Sequence, residues 1–339
     1  MSPPYVTERH SLDNGDRGQI YCEYFYDTKT KTQNGIVFLV DGVCNDGFQF
    51  ATFINKVTRS HAVIRFDYRG HGRSSDAPTD KLLTVDICVS DMKRVLAHFY
   101  RTHPTLRKKA RHDRVTLISY SLGAQVALRF AASEENRVNG IGIINGTLEP
   151  AFYGLFRSET VSDGIVYLLR RSASFQRFVA FCIRIGMLLL SLNGFISSLL
   201  ASYFVRASAQ NFKPFWAHAR RVQARSYLSF LVDAHTRDGL DILEYFGDSS
   251  VSNRPLLLCV VGMKDTLVRT EKTVQTIRNI APECEILKIE SGCHALLVHD
   301  DHKEKMAAAL VAFVNRCATT AGINDDDTVD EDTMNAVLC

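Results

Sequence analysis

The sequence lacks most of the signals that settle function early. None of its nine cysteines stands in a Cys-x-x-Cys pair, and their number is odd and their spacing scattered. A disulfide framework and a thiolate metal clip therefore find no support, and reduced, buried thiols are the simplest account. No secretory-type leader pattern opens the chain, which makes a cytoplasmic protein the expectation. No internal repeat is present, and Cys339 is the last residue, so there is no prenylation box. Charge is nearly balanced at +3, although the stretch Asp325 to Asp332 alone holds six acids. That stretch lacks the glycine and spacing of a calcium loop and reads as solvated, disordered chain. The basic cluster from Arg101 to Arg114 has no nucleic-acid motif or stacking aromatics beside it, so a nucleic-acid partner is not expected.

What is present is a large apolar content, 46% of 339 residues, laid out as alternating strand and helix patterns from Gly35 onward. That alternation predicts a mostly parallel sheet covered by helices, an α/β fold. Two earlier runs, Val6 to Leu12 and Ile20 to Tyr26, are joined through Asn14-Gly15. They predict an antiparallel hairpin at the edge. The basic cluster precedes a strand and is expected at the end of the sheet opposite that strand's C-terminus.

That strand carries the most informative residues. Val115 to Ala124 reads V-T-L-I-S-Y-S-L-G-A, a β-type run ending in Ser119-Tyr120-Ser121-Leu122-Gly123, with a helical pattern from Ala124 to Ala132. A serine on so sharp a strand-to-helix turn needs small residues two before and two after it. Ser119 and Gly123 are small, though a serine-rich turn of no chemical consequence has the same pattern. Farther on, the buried-strand pattern Pro255 to Val261 leads into Gly262-Met263-Lys264-Asp265. Another strand, Glu285 to Ile289, leads into Ser291-Gly292-Cys293-His294. An acid and a histidine thus each follow the C-terminal end of a strand, where open α/β sheets bind ligands. Glu149 also follows a strand, Gly140 to Asn145, and is a second candidate acid. Upstream, Ile36 to Val40 runs into Asp41-Gly42-Val43, and Ala62 to Asp67 into Tyr68-Arg69-Gly70-His71-Gly72-Arg73-Ser74-Ser75.

Taken in order, these motifs resemble the α/β-hydrolase superfamily, in particular serine hydrolases with a helical cap, over Gly35 to Ile144 and Pro255 to Asn315. The turn at Ser121 resembles the G-x-S-x-G nucleophile elbow with Ser119 in place of the first glycine. The resemblance implies Ser121 as nucleophile, His294 as base and Asp265 as its orienting acid. It implies the N–H groups of Leu122 and Val43 as oxyanion donors. It departs from the family at Asp41, where a histidine is usual and where a carboxylate would bear on the charge of the substrate. The D-x-R-G-x-G-x-S turn at Asp67 is read as structural, with His71 and Arg73 fixing the loop.

The resemblance implies a core over 1–147 and 251–318, a helical cap over 148–250 and a disordered tail over 319–339. It implies no metal or organic cofactor. The expected reaction is hydrolysis of an apolar carboxylic ester, a small-molecule acyl substrate, with a thioester as a close variant. Carbon–carbon bond hydrolysis and a catalytically weak binding module are the alternatives. Phe175 to Val205 is strongly apolar, and Ile185 to Val205 carries no charge. Three readings stand open: a transmembrane helix, a buried pair of cap helices lining the acyl pocket, and a cap with peripheral membrane contact. Leu189 and Leu190 are the expected pocket residues under the second reading.

Overall fold

The structure is a computed structural model and describes residues 5–13, 18–29, 34–44, 47–76, 83–109, 114–134, 137–192, 214–215, 217–237, 239–248 and 254–320. Asn14-Gly15, Asn193-Gly194, the apolar stretch up to Val205 and the acidic tail from 321 lie outside them. The side chains of Leu190, Ser191 and Leu192 also lie outside them.

Eight strands form one sheet in the order β1-β2-β4-β3-β5-β6-β7-β8. They are β1 (Val6–Asp13), β2 (Gln19–Tyr26), β3 (Gly35–Val40), β4 (His61–Phe66), β5 (Val115–Tyr120), β6 (Val138–Ile144), β7 (Leu256–Gly262) and β8 (Glu285–Ile289). β2 pairs antiparallel with both β1 and β4, and every other pairing is parallel. The expected edge hairpin is present, and Val6 faces Tyr26 across it.

The central strands are apolar throughout because both faces of the sheet are covered. Ile36, Phe38 and Val40 of β3 pack to one side, and Val37 and Leu39 to the other. The first side is covered by α2 (Val85–Thr102) and α4 (Gly123–Ser133), the second by α1 (Ala51–Val57) and α11 (Lys303–Thr320). α2 shows how the chain makes such a helix. The Thr84 hydroxyl accepts from the Ile87 N–H at 3.2 Å, and Asp86 and Arg101 sit at the ends that suit their charge. Cys88, Met92, Val95 and Phe99 then repeat every three or four residues on the buried face. α3 (Pro104–Lys109) follows, within the basic cluster, and leads to the start of β5. This start is about 20 Å, the length of a six-residue strand, from the Ser121 turn. Helix α11 runs to Thr320, so Thr319 and Thr320 are helical and not part of the expected tail.

Between β6 and β7 the described residues form α5 (Ala151–Phe156), α6 (Glu159–Arg171), α7 (Ala173–Leu192), α8 (Ala224–Thr236) and α9 (Leu240–Gly247). Phe230 and Ala234 of α8 and Leu243 and Phe246 of α9 belong to the same buried cluster as the sheet. α6 and α7 are held differently. Val166 and Leu169 bury with Phe152 and Leu228, and Phe175, Val179, Ala180 and Ile183 pack onto that small cluster. α10 (Thr270–Ile280) completes the fold between β7 and β8.

Candidate active site

β5 ends in a turn at which Ser121 has φ 52, left-handed backbone in a non-glycine residue. Such a conformation costs of order 1–3 kcal/mol and persists only where the surroundings over-determine it. Here they do. The Ser121 N–H donates to Ile144 O at 3.0 Å, and its carbonyl accepts from Ala124 N and Thr147 N at 3.1 and 3.0 Å. Gly123 is required by crowding. A Cβ there would stand 2.4 Å from the carbonyl oxygens of both Val40 and Asp41. The position of the absent first glycine is filled by Ser119, fully buried, whose hydroxyl donates to Gly142 O at 3.0 Å. A serine fits because it is small and its hydroxyl is satisfied.

The acid and the histidine come from the ends of β7 and β8. Gly262 lets these two turns meet, since a Cβ on it would lie 2.7 Å from Cys293 O. The Lys264 N–H donates to Gly292 O at 2.8 Å and ties the turns together. Asp265 Oδ2 is 2.7 Å from His294 Nδ1, and His294 Nε2 is 3.1 Å from Ser121 Oγ. The other carboxylate oxygen accepts from the N–H groups of Leu267 and Val268 at 2.7 and 3.1 Å. Asp265 is therefore held as an acceptor on both sides, which favours the tautomer with hydrogen on His294 Nδ1 and leaves Nε2 facing the serine.

Glu149 takes a different part. Its carboxylate binds Arg269 through two bonds of 2.7 and 2.9 Å and Lys272 at 3.1 Å. It braces the start of α10 against the β6 turn. Of the two candidate acids, Asp265 is the one hydrogen-bonded to His294.

Two residues that the motif search passed over complete the framework. Asn145, with φ 44, donates from Nδ2 to the carbonyls of Cys293 and His294 at 2.9 and 2.8 Å, and its Oδ1 accepts from Gly262 N at 2.7 Å. Tyr120 donates to His294 O at 3.0 Å. Burial pushes the Tyr120 phenol well above its ordinary range, with the Asp265 charge adding to the effect, so it remains the donor. An asparagine directly after a parallel strand, and the residue between Ser119 and Ser121, are the only marks the sequence offers of these roles.

Leu122 lies directly before α4, and no protein acceptor takes its N–H among the described residues. Val43 sits half-buried in the turn after β3. Asp41 is buried, and its Oδ1 accepts from Gln49 Nε2 and from Gly42 N. The Asp67 turn is a structural knot. Arg69 makes two bonds to Asp91 at 2.7 and 2.5 Å, His71 Nδ1 bonds Arg69 O at 3.0 Å, and Asp67 accepts from Arg73 N at 2.9 Å.

Of the two expected pocket residues, Leu189 is the one whose side chain is described. α7 packs inward through Phe175, Val179, Ala180 and Ile183, and the helical repeat places Leu189 on the flank of that face, 58% exposed. The Leu190 side chain lies outside the described residues. The expected pair of cap helices reaches to Val205, and its second half lies outside the described residues. No single helix among the described residues is long and apolar enough to cross a membrane, and α6 and α7, which pass that test together, are bent by 113°. No group of three or more His, Cys, Asp or Glu among the described residues is arranged to hold a metal.

A family model described as the alpha/beta hydrolase fold matches residues 35–300. No curated protein matches this sequence. Among solved structures, a carboxylesterase of the thaumarchaeon Nitrososphaera gargenis superposes with a TM-score of 0.65 at 15% identity, covering 92% of this chain and 100% of its own. A thermophilic esterase from Thermogutta terrifontis gives 0.61 at 16% identity, covering 92% and 99%. The thioesterase domain from the curacin biosynthetic pathway gives 0.58 at 16%, covering 91% and 99%. The sheet order, the strained serine turn and the family match over most of the chain agree, and the protein belongs to the α/β-hydrolase fold family.

Proposed function

We propose that this protein is a serine hydrolase that cleaves an apolar carboxylic ester through an acyl-enzyme. The observation that carries this reading is the unbroken hydrogen-bond chain from Asp265 through His294 to Ser121. In the proposed reaction His294 Nε2 takes the Ser121 proton as Oγ attacks the ester carbonyl, and Asp265 stabilises the imidazolium. The negative charge that develops on the carbonyl oxygen is held by the N–H groups of Leu122 and Val43. His294 then gives its proton to the departing alkoxide. Water, deprotonated by the same nitrogen, releases the acid and restores Ser121. No step calls for a metal or an organic cofactor. Thioesters run through the same steps, with a thiolate leaving.

The similar structures include enzymes described as esterases and a thioesterase domain, and they support this reaction class. We assign segment 148–250 the role of a cap that selects the substrate. The test is a series of p-nitrophenyl esters of rising acyl length run beside fluorophosphonate labelling. Each methylene buried in an apolar site gains about 0.8 kcal/mol. We expect kcat/KM to rise by up to roughly fourfold per carbon and to peak at medium chains of roughly six to twelve carbons. A steady fall from acetate upward rejects the apolar-acyl reading. No labelling and no cleavage of any ester favour a binding module.

A further inference from the structure

Almost all the exposed large apolar side chains among the described residues lie in one place. Apart from Val6 and Leu256 they belong to α5, α6 and α7. On α7 they form a stripe: Phe178 is 62% exposed, Phe181 62%, Leu188 49%, and Ile185 lies between them. The opposite face of the same helix is already packed against α6 and α8. A surface helix ordinarily buries one apolar stripe and turns polar residues outward. α7 is apolar on both sides, and a concentrated patch of this kind marks an interaction surface.

Along α7 itself the charge has one sign, whereas the first two turns of α6 also carry Glu159 and Asp163. From Gly164 to Val232 the chain holds no Asp or Glu, but it holds nine Arg or Lys residues. At 100° per residue, Arg184 and Arg177 fall along one edge of the exposed stripe, beside Leu188 and Phe181. Arg177 also lines a groove of about 470 Å³ together with Arg170, Arg225 and Arg237. Arg237 is paired with Asp86 and Asp233, whereas Arg170, Arg177 and Arg225 have no carboxylate partner among the described residues.

We propose that the outer face of α7, with the adjoining surface of α6 and the arginine groove, docks on an anionic phospholipid bilayer. α7 then lies in the plane of the interface, its phenylalanines at the headgroup–acyl boundary and its arginines on lipid phosphates. An apolar face bordered by cations is what such a surface recognises. Two other occupants fit less well. A second copy of this chain, packed α7 against α7, would set Arg177 and Arg184 of the two copies against each other, and α7 holds no acid to pair them. The segment 193–213 of this chain, which holds Arg206 and Lys213, also has no acid to offer. A span across the bilayer would have to unpack Val166 and Leu169 of α6 from their buried cluster.

The proposal does not depend on the catalytic reading, because its test reads binding without turnover. The full chain is floated with vesicles of phosphatidylcholine alone and with a phosphatidylcholine–phosphatidylserine mixture of roughly two to one. The wild type is expected to float with the mixed vesicles, to stay down with the neutral ones, and to be released by high salt. Neutralising Arg177→Gln and Arg184→Gln together is expected to weaken binding roughly 25-fold, about fivefold per side chain. Phe178→Glu with Phe181→Glu should abolish flotation while the thermal melt stays as in the wild type. The proposal is overturned if the wild type does not float, if it floats equally with neutral vesicles, or if these variants bind as the wild type does. It is also overturned if light scattering shows a dimer that Phe178→Glu and Phe181→Glu split into monomers, which assigns the face to a second copy.

Discussion

The turn at Ser121 and the outer face of α7 are built from similar apolar stock and treated in opposite ways. Around Ser121 nearly everything is buried and spoken for. Ser119 is satisfied by Gly142 O, Asp265 by two backbone N–H groups and His294, and Asn145 by three partners. On α7, Phe178 and Phe181 face water with more than half their surface exposed. The contrast separates two kinds of constraint. The first region is over-determined by geometry, so single atoms there carry large effects. The second is under-determined by the fold, so its residues should cost the folded state little when changed.

Substitutions test that contrast, beginning where the effect should be greatest. Ser121→Ala should lower ester turnover by about 10⁶-fold, the scale seen when a triad nucleophile is lost, with circular dichroism unchanged. Asp265→Asn should cost roughly 10⁴-fold through the wrong histidine tautomer. Glu149→Gln, by comparison, should leave kcat within a few-fold of wild type. Its cost should appear in a denaturation curve instead, at about 1 kcal/mol, because Arg269 loses the buried Glu149 carboxylate but keeps Glu159. If Glu149→Gln abolishes turnover and Asp265→Asn does not, the acid is misassigned.

Asn145→Ala should show both kinds of loss. Two carbonyls and the Gly262 N–H lose their partner together, at about 1–3 kcal/mol in stability for each group left buried. As a positioning residue it should also lower kcat more than it raises KM, because His294 shifts without substrate contacts being removed.

The buried loop at Asp67 predicts a dependence on pH. Burial pushes the His71 imidazole down to about 4, against the backbone bond to Arg69 O that favours its charge and with His218 adding to the depression. Between its ordinary value of 6.5 and about 4, the unfolded chain takes up a proton here that the folded chain refuses. The stability from this residue is therefore complete above the unfolded value and is lost as pH falls through the window, by about 3 kcal/mol in all. Urea midpoints measured across that range should fall with pH, and His71→Asn should flatten the slope.

At the small end, Phe178→Glu with Phe181→Glu should change stability by no more than about 0.5 kcal/mol per site, as expected of exposed positions. A loss of several kcal/mol on urea denaturation would mean that this face is packed in solution, and the contrast between the two regions would collapse.

The edge hairpin was legible from Asn14-Gly15 between two strand runs, and the core strands because fully buried parallel strands write themselves as unbroken apolar runs. Pro255 to Val261 and Ile36 to Val40 are of that kind. Ser121 and Asp265 were legible because each follows such a run at its C-terminal end, and His294 because it follows the short edge strand Glu285–Ile289. Asn145 and Tyr120 were not, since hydrogen bonds to carbonyls far along the chain leave no periodic trace. α7 is ambiguous in the sequence for a related reason. An apolar helix signals that it has apolar faces, and it does not say whether the second face meets protein or water. Leu189 is 58% exposed while Val179 and Ile183 of the same helix pack inward, a difference that composition does not carry.

The central claim is that Ser121, and no neighbouring hydroxyl, is the nucleophile. Treating the protein with a fluorophosphonate and locating the adduct by peptide mass spectrometry tests this directly, because Ser119 and Ser121 lie two residues apart in one peptide and only fragmentation separates them. The account predicts a single stoichiometric adduct on Ser121 that is absent in both Ser121→Ala and His294→Ala. An adduct on Ser119, or labelling of Ser121 that persists at the wild-type rate without His294, would contradict it.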